Sequence, residues 1–518
     1  MFYRVEQGNV NKYVYVTLIV IGLIFIYNCQ SSQSRNTNQL VFNDYCGSCH
    51  LAPDPTRLTQ YIWDHHVLPN MAYRLGYEFE APDKEFNFFV NSDIYEQKNK
   101  QLSSSDIDSV SWNRLRQYIM DLAPPIVISD SSRVQRTLNL DQFIPKSINL
   151  DGDPGISLVS SIDFDSISKT FLIGDGNRKM VASWPTGLAL KSKNEIINFN
   201  SPVVSSLFFK GVSYILEIGE LMPSDNANGV LYRIDEEGVQ TIAKNLHRPV
   251  SFEIVDLDQN GLEEFIICEF GNQTGKLSLF VKEGEEYKKI GLLDVPGTTK
   301  IEVEDMNGDG RTDVVVLASQ GNEGIYILYN KGDLKFEKKQ VIQLPPEFGS
   351  SWFELVDYNG DGNLDIFLSN GDNGDISVMA KNFHGVRLFL NLGNDEYNET
   401  WFYPIYGATK LIVNDFDLDG DFDLAVISFF PEYAVAPNEG FVYLENIDSD
   451  SLNFNAHTFS NSADGRWMVM EDGDIDGDGD VDLLIGSYAM SLGQKYRKVY
   501  QNWQKSTTNL VLLENKSN

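Results

Sequence analysis

Hydrophobic and polar residues are patterned differently in the two ends of this chain. From residue 256 onward, short apolar runs follow acidic, glycine-containing loops: Phe265-Ile-Ile, Val314-Val-Val-Leu, Ile366-Phe-Leu, Leu424-Ala-Val-Ile and Leu483-Leu-Ile. Runs this short, bounded by turn residues, predict buried strands rather than helices. The loops begin at Asp256, Asp305, Asp357, Asp415 and Asp474, which are 49, 52, 58 and 59 residues apart. Self-similarity at that period predicts one small sheet per repeat, stacked as a propeller or solenoid. Two weaker units precede these. Ser160-Ser-Ile-Asp-Phe-Asp starts such a loop without completing it, and Val203-Val-Ser-Ser-Leu-Phe-Phe-Lys-Gly lacks the acids. Upstream, Ser105 can cap a helix whose stripe is Val110, Leu115, Tyr118, Ile119 and Leu122, and Pro124-Pro125 ends it.

A third pattern occupies residues 1–28. Arg4 and Lys12 precede an apolar run from Tyr13 to Tyr27, closed by Asn28-Cys29. The run is short for a membrane-spanning helix, which needs roughly 20 residues, but suits the core of an export signal. A cysteine directly after it resembles a bacterial lipoprotein signal, with Cys29 as the lipidated residue and 29–35 as a tether. The expected location is therefore exported and lipid-anchored, at the periplasmic face or the outer surface of the outer membrane, with no other membrane contact. The 518 residues carry a formal charge of −33. That balance excludes nucleic acid as a partner, because phosphate binding needs clustered Lys and Arg.

Three of the four cysteines remain to be assigned. Cys46-Gly-Ser-Cys49-His50 is a C-x-x-C-H haem-attachment sequence. One turn of chain sets two thiols for thioether bonds to a single haem c, and the histidine follows as iron ligand. A redox dithiol would be expected beside a βαβ pattern, which this segment lacks. Pro69-Asn70-Met71 resembles the ligand loop of monohaem c-type cytochromes, making Met71 the expected second iron ligand, with His65 or His66 as the alternative. Met/His ligation raises the potential relative to bis-histidine. The helix before Pro124 resembles the C-terminal helix of small c-type cytochromes. Residues 36–125 are thus expected to be an all-α cytochrome c-like domain and 126–150 a linker. Cys268, inside Phe265-Ile-Ile-Cys-Glu-Phe270, reads as a buried core thiol.

The five loops share D-x-[DN]-x-[DN]-G-x-x-[DE], which suits a hard cation. Ca²⁺ takes six to eight oxygens, and a tight loop can aim the side chains of positions 1, 3 and 5 inward. Position 9 is acidic in all five, which a simple hairpin turn would not require. The expected calcium ligands are Asp256, Asp258, Asn260 and Glu264; Asp305, Asn307, Asp309 and Asp313; and Asp357, Asn359, Asp361 and Asp365. Asp415, Asp417, Asp419 and Asp423 follow, then Asp474, Asp476, Asp478 and Asp482, for about five ions.

These loops resemble the FG-GAP/VCBS repeats of integrin-α-like β-propellers, over roughly residues 151–518. Together with the haem segment, they resemble exported bacterial cytochrome–FG-GAP proteins. The resemblance implies a mainly β fold, with two degenerate and five intact units giving a seven-bladed propeller; eight blades is the alternative. It also implies that the residues entering each innermost strand line the channel mouth opposite the calcium loops. Aligning them gathers His247, Arg248, Lys300, Trp352, Lys410, Arg466 and Trp467 on one rim, a set suited to an anionic or glycan ligand. Electron transfer is the leading expectation, to a redox partner protein or a quinone-linked chain. The alternatives are a propeller enzyme, either an oxidoreductase feeding the haem or a polysaccharide lyase, and an adhesion scaffold. No catalytic residue is assigned.

Overall fold

In a computed structural model, the described residues are 37–77, 106–126, 136–150, 158–186, 196–372, 381–491 and 495–517. The chain divides into two compact units, Met1–Ile126 and Val127–Asn518. The export segment and Cys29 lie outside the described residues. No helix among the described residues is long and apolar enough to cross a membrane.

The first unit is helical where described. A helix at 37–46 ends at Cys46, a second runs from Gln60 to Arg74, and a third spans Ser109–Leu122. The third packs on the first through Phe42 and Tyr118, whose ring centroids lie 5.1 Å apart. A two-pronged ion pair from Arg116 to Asp64 joins it to the second. The cap of the third helix is Asp108, its carboxylate accepting N–H bonds from Val110 and Ser111 at 2.8 and 2.9 Å, while Ser105 lies outside the described residues. Its buried stripe is Trp112, Leu115 and Ile119, while Val110 faces solvent.

The second unit is a ring of seven four-stranded antiparallel sheets. Blades 1 to 6 cover residues 159–198, 203–246, 249–293, 298–343, 350–404 and 408–457 in order. Blade 7 takes three strands from 467–515 and its outermost from Phe143–Ile148, which pairs in register with Leu510–Asn515. The first strand of this unit thus closes the ring against its last, and residues 136–148 belong to the propeller rather than to a linker. Arg136 is pinned to Glu439 and to the Pro404 carbonyl, and Thr137 bonds to Ala456 on blade 6.

The second strands of blades 3 to 7 are buried at every position: Glu264–Glu269, Asp313–Ala318, Asp365–Asn370, Asp423–Ser428 and Asp482–Ser487. They have a sheet neighbour on each edge and a packed blade on each face, hence the unbroken apolar runs. Cys268 lies among them with no exposure, and burial pushes its thiol up to about 12.

Phe143 anchors the closing strand, packing edge-on against Phe416 and Tyr443. Phe143→Ala is expected to cost about 3–5 kcal/mol, the range for emptying a buried aromatic site, read as a lower denaturation midpoint. A loss under about 1 kcal/mol would mean that this strand does not close the ring.

Candidate functional site

In each blade the first strand is innermost, and every one carries a bulge between its first and third residues, from Val159/Ser161 to Trp467/Val469. A bulge re-aims the side chains that follow it. Lys300, Trp352 and Lys410 are the third residues of neighbouring blades, and the bulge brings them together. Both ammonium groups lie over the Trp352 indole, at 4.6 and 4.2 Å from its centroid. Trp352 Nε1 donates to Glu354 at 2.8 Å, and Lys410 Nζ donates to the Met470 carbonyl of the next blade at 2.6 Å.

One step along the same strands stand Asp163, Glu253, Glu302, Glu354 and Glu471. Asp163 and Glu302 accept N–H bonds from Phe208 and Leu355 of the following blade. They satisfy donors on an inner strand edge that has no further strand to pair with. Burial raises all five: Asp163 to about 7, Glu302 and Glu471 to about 8, with Lys300 and Lys410 opposing the shift in the two glutamates. Burial also lowers Lys410, against the pull of Glu471. Two lysines facing five carboxylic acids do not make a cationic rim, so the predicted preference for an anion does not follow from them.

The other rim residues are placed differently. Trp467 is fully buried and donates to the Ser462 carbonyl at 2.7 Å. Arg466 is 2% exposed. Neither lines an open mouth, because their register matches the pair Gly297-Thr298, two residues before Lys300. The carbonyls of Arg248, Gly297 and Arg466 accept equivalent N–H bonds from Phe270, Ser319 and Tyr488. Arg248 sits at that slot with φ of 47°, where Gly297 and Gly407 stand in other blades. Its guanidinium holds the Leu221 carbonyl. His247 Nδ1 lies 2.9 Å from both the Asp225 carbonyl and Thr274 Oγ1.

On the opposite face, the acidic loops have one construction. The first aspartate accepts the N–H of the position-six glycine in four loops: Gly261, Gly310, Gly362 and Gly420. Those glycines and Gly479 have φ between 81° and 101°, which explains their presence. Carboxylate oxygens converge within 4.8 Å for Asp256, Asp258 and Glu264, for Asp415, Asp417 and Asp419, and for Asp474, Asp476 and Asp478. In the last loop Lys169 of blade 1 already meets Asp474, at 2.5 Å from its carbonyl and 3.3 Å from its carboxylate.

Position nine has a structural task of its own. Asp313, Asp365, Asp423 and Asp482 have no exposure. One oxygen of each takes an N–H from loop position two, as Asp313 does from Met306 at 3.1 Å. The other takes the N–H of Asn330, Asn391, Asn446 or Asn515 at 2.7–2.8 Å. Those asparagines stand at or near the end of the third strand, and no sequence pattern singled them out. Their side chains bond the position-eight carbonyl, and Asn330 and Asn515 also reach the preceding blade at Leu257 and Phe416. An acid at position nine therefore does not by itself argue for a cation.

A family model for the FG-GAP-like repeat matches residues 305–368, one repeat period from the blade 4 loop into the second strand of blade 5. The second unit is a seven-bladed β-propeller that carries an FG-GAP-like repeat. Integrin alpha-PS5 and integrin alpha-PS3 of Drosophila melanogaster are each 36% identical to this chain, over 132 and 97 residues. Those stretches are 22% and 16% of this chain and 13% and 9% of the two integrins. Among solved structures, regucalcin from Agrobacterium tumefaciens is 13% identical with a TM-score of 0.36, over 57% of this chain and 92% of that one. The N-terminal domain of Nup159 is 11% identical with a TM-score of 0.39, over 74% and 97%.

In the first unit, Cys46 closes the first helix and is buried, Cys49 is exposed, and His50 follows in the turn. Burial pushes the Cys46 thiol up to about 12, the reverse of the lowered value of a redox-active dithiol. His50 Nδ1 lies 2.7 Å from the Leu51 carbonyl. His65 and His66 lie within a π-helical turn, Trp63–Val67, and Met71 is half-buried one turn further on. His65 is stacked on Tyr61, and its Nδ1 lies 3.0 Å from the Tyr61 carbonyl.

Glu302 and Glu471 make the channel pH-sensitive in a defined direction. An unfolded glutamate ionises near pH 4.3, whereas these hold their protons to about 8 when folded. Between those values the unfolded chain binds fewer protons, so stability falls as pH rises through the window. Glu302→Gln is expected to flatten the fall in urea denaturation between pH 5 and pH 8. A mutant effect equal at both pH values would mean that Glu302 is ionised in the fold.

Proposed function

We propose that this chain is an exported, lipid-anchored electron-transfer protein, with a calcium-braced propeller that binds a partner or glycan. The observation that carries the reading is the state of His50 within Cys46-x-x-Cys49-His50. With Nδ1 donating to the Leu51 carbonyl, the imidazole presents Nε2 as its lone-pair nitrogen, the tautomer and orientation an iron ligand requires. Cys46 and Cys49 would form the thioethers to haem c, and Met71 is the proposed second ligand. Bound there, haem c supplies one-electron transfer. The chain's own part is to fix the imidazole and to bury one thiol at a helix end.

The propeller loops fit calcium on the chemistry of their donors. Three loops hold three carboxylates each within 4.8 Å, where like charges repel until a cation neutralises them. Proposed ligands are the aspartates and asparagines at positions 1, 3 and 5, with the position-nine acid holding the loop and closing the site.

Expression in a host that matures c-type cytochromes should give a covalently haem-stained, low-spin protein, with staining lost in Cys46→Ala/Cys49→Ala. Met71→His should lower the potential; an unchanged potential and spectrum would transfer the second ligand to His65 or His66. A protein that takes up no haem sinks the electron-transfer reading.

Calcium at about 100 times its dissociation constant should add roughly 2.7 kcal/mol per site, and a chelator should lower the propeller's melting transition. Asp361→Ala should remove part of that shift. Melting indifferent to both calcium and chelator would make the loops turns only.

A further inference from the structure

The lysines of the channel are met by acids, but one cation of the propeller is not. Arg466, at the entry to the innermost strand of blade 7, is 2% exposed and forms no ion pair with a carboxylate among the described residues. Its Nε donates to the Phe429 carbonyl at 2.9 Å, and its guanidinium lies over Phe429 and Phe430 at 3.6 and 5.0 Å. Nη1 is buried and has no hydrogen-bond partner. Three residues past Phe430, the hydroxyl of Tyr433 is also buried and without a partner, although the ring itself is 7% exposed and packed on Tyr496 and Trp503.

Two buried, unpartnered groups lie within electrostatic reach of one another. One is a charged donor and the other a hydroxyl able to donate. Ring faces offset part of a buried charge, but an unpaired buried cation is among the costliest single features a fold can carry. Buried donors in native structures find acceptors. The other groups that face the guanidinium are Asp372, beyond ion-pair distance, and Tyr488, whose N–H holds the Arg466 carbonyl at 2.7 Å. Burial without a carboxylate contact draws the arginine down to about 10, in keeping with an uncompensated charge.

We propose that the seam of blades 6 and 7 holds a small monovalent anion, chloride or a carboxylate, accepting from Arg466 Nη1 and Tyr433 Oη. This site is separate from the calcium loops, which lie at the other end of the same strands, and independent of the haem. It places anion recognition in a buried seam between two blades, at Arg466, rather than on the channel lysines. A neutral water could satisfy the two donors but would leave the charge uncompensated.

The test uses the full-length protein at fixed calcium and fixed ionic strength. Thermal unfolding is followed while potassium chloride replaces potassium gluconate, whose anion is too large for a buried site, with potassium acetate as a second arm. The melting temperature of wild type should rise with chloride or acetate and saturate. The dependence should vanish in Arg466→Met and weaken in Tyr433→Phe. Whichever of the two salts acts identifies the source of the anion. Should Arg466→Met fail to fold, crystals of wild type soaked in bromide give the answer directly, as an anomalous peak beside Nη1 and the Tyr433 hydroxyl. A chloride- and acetate-independent melt together with no bromide peak, or an ordinary water in that position, would overturn the proposal.

Discussion

The buried carboxylate at position nine is the constraint on which the propeller's repeats depend. Asp313, Asp365, Asp423 and Asp482 each use both oxygens on backbone N–H groups, one from the acidic loop and one from the third strand. That arrangement fixes the loop's shape and ties it to the blade. Through the asparagine side chain, it also ties blade 4 to blade 3 and blade 7 to blade 6. A buried acid whose lone pairs are met by fixed donors is tolerated, whereas an unmet one is costly. Positions 1, 3 and 5 can crowd their carboxylates at the surface because position nine holds the loop from beneath.

Charge in this strongly acidic molecule is organised by burial. At the surface, aspartates gather in loops where a cation is the natural complement. Inside the channel, five acids lie against two lysines and an indole. Burial favours their neutral forms, while the lysines hold carbonyls and ring faces. At the seam of blades 6 and 7 the balance reverses, and a guanidinium is left with aromatic rings and one carbonyl. These are separate electrostatic environments on one scaffold, set by which strand register faces the axis, the loop or the neighbouring blade.

The first unit illustrates how local chemistry and packing divide the work. The C-x-x-C-H spacing is visible in any listing of residues, but what a histidine can bind depends on where its second nitrogen goes. In the fold, His50 Nδ1 is committed to a carbonyl, and so is that of His65. The helix that crosses this unit was legible from its stripe. Its cap is Asp108, whose carboxylate meets the first free N–H groups of the helix.

Repeat period, strand burial and the two weak units were all legible, because a strand covered on both faces keeps an apolar run and a loop closed on its own aspartate must place oxygens and glycine at fixed intervals. From those, seven blades followed. Ring closure did not, since nothing in Phe143-Ile-Pro-Lys-Ser-Ile names Leu510–Asn515, at the far end of the sequence, as its partner. Nor did the clamp asparagines, whose distance from their aspartate varies with hairpin length. The rim set divided for the same reason. Lys300, Trp352 and Lys410 share a register that alignment could see. Arg466 and Trp467 lie earlier in that register, before the bulge, and only the bulge and the packing of neighbouring blades decide which side of a strand meets water.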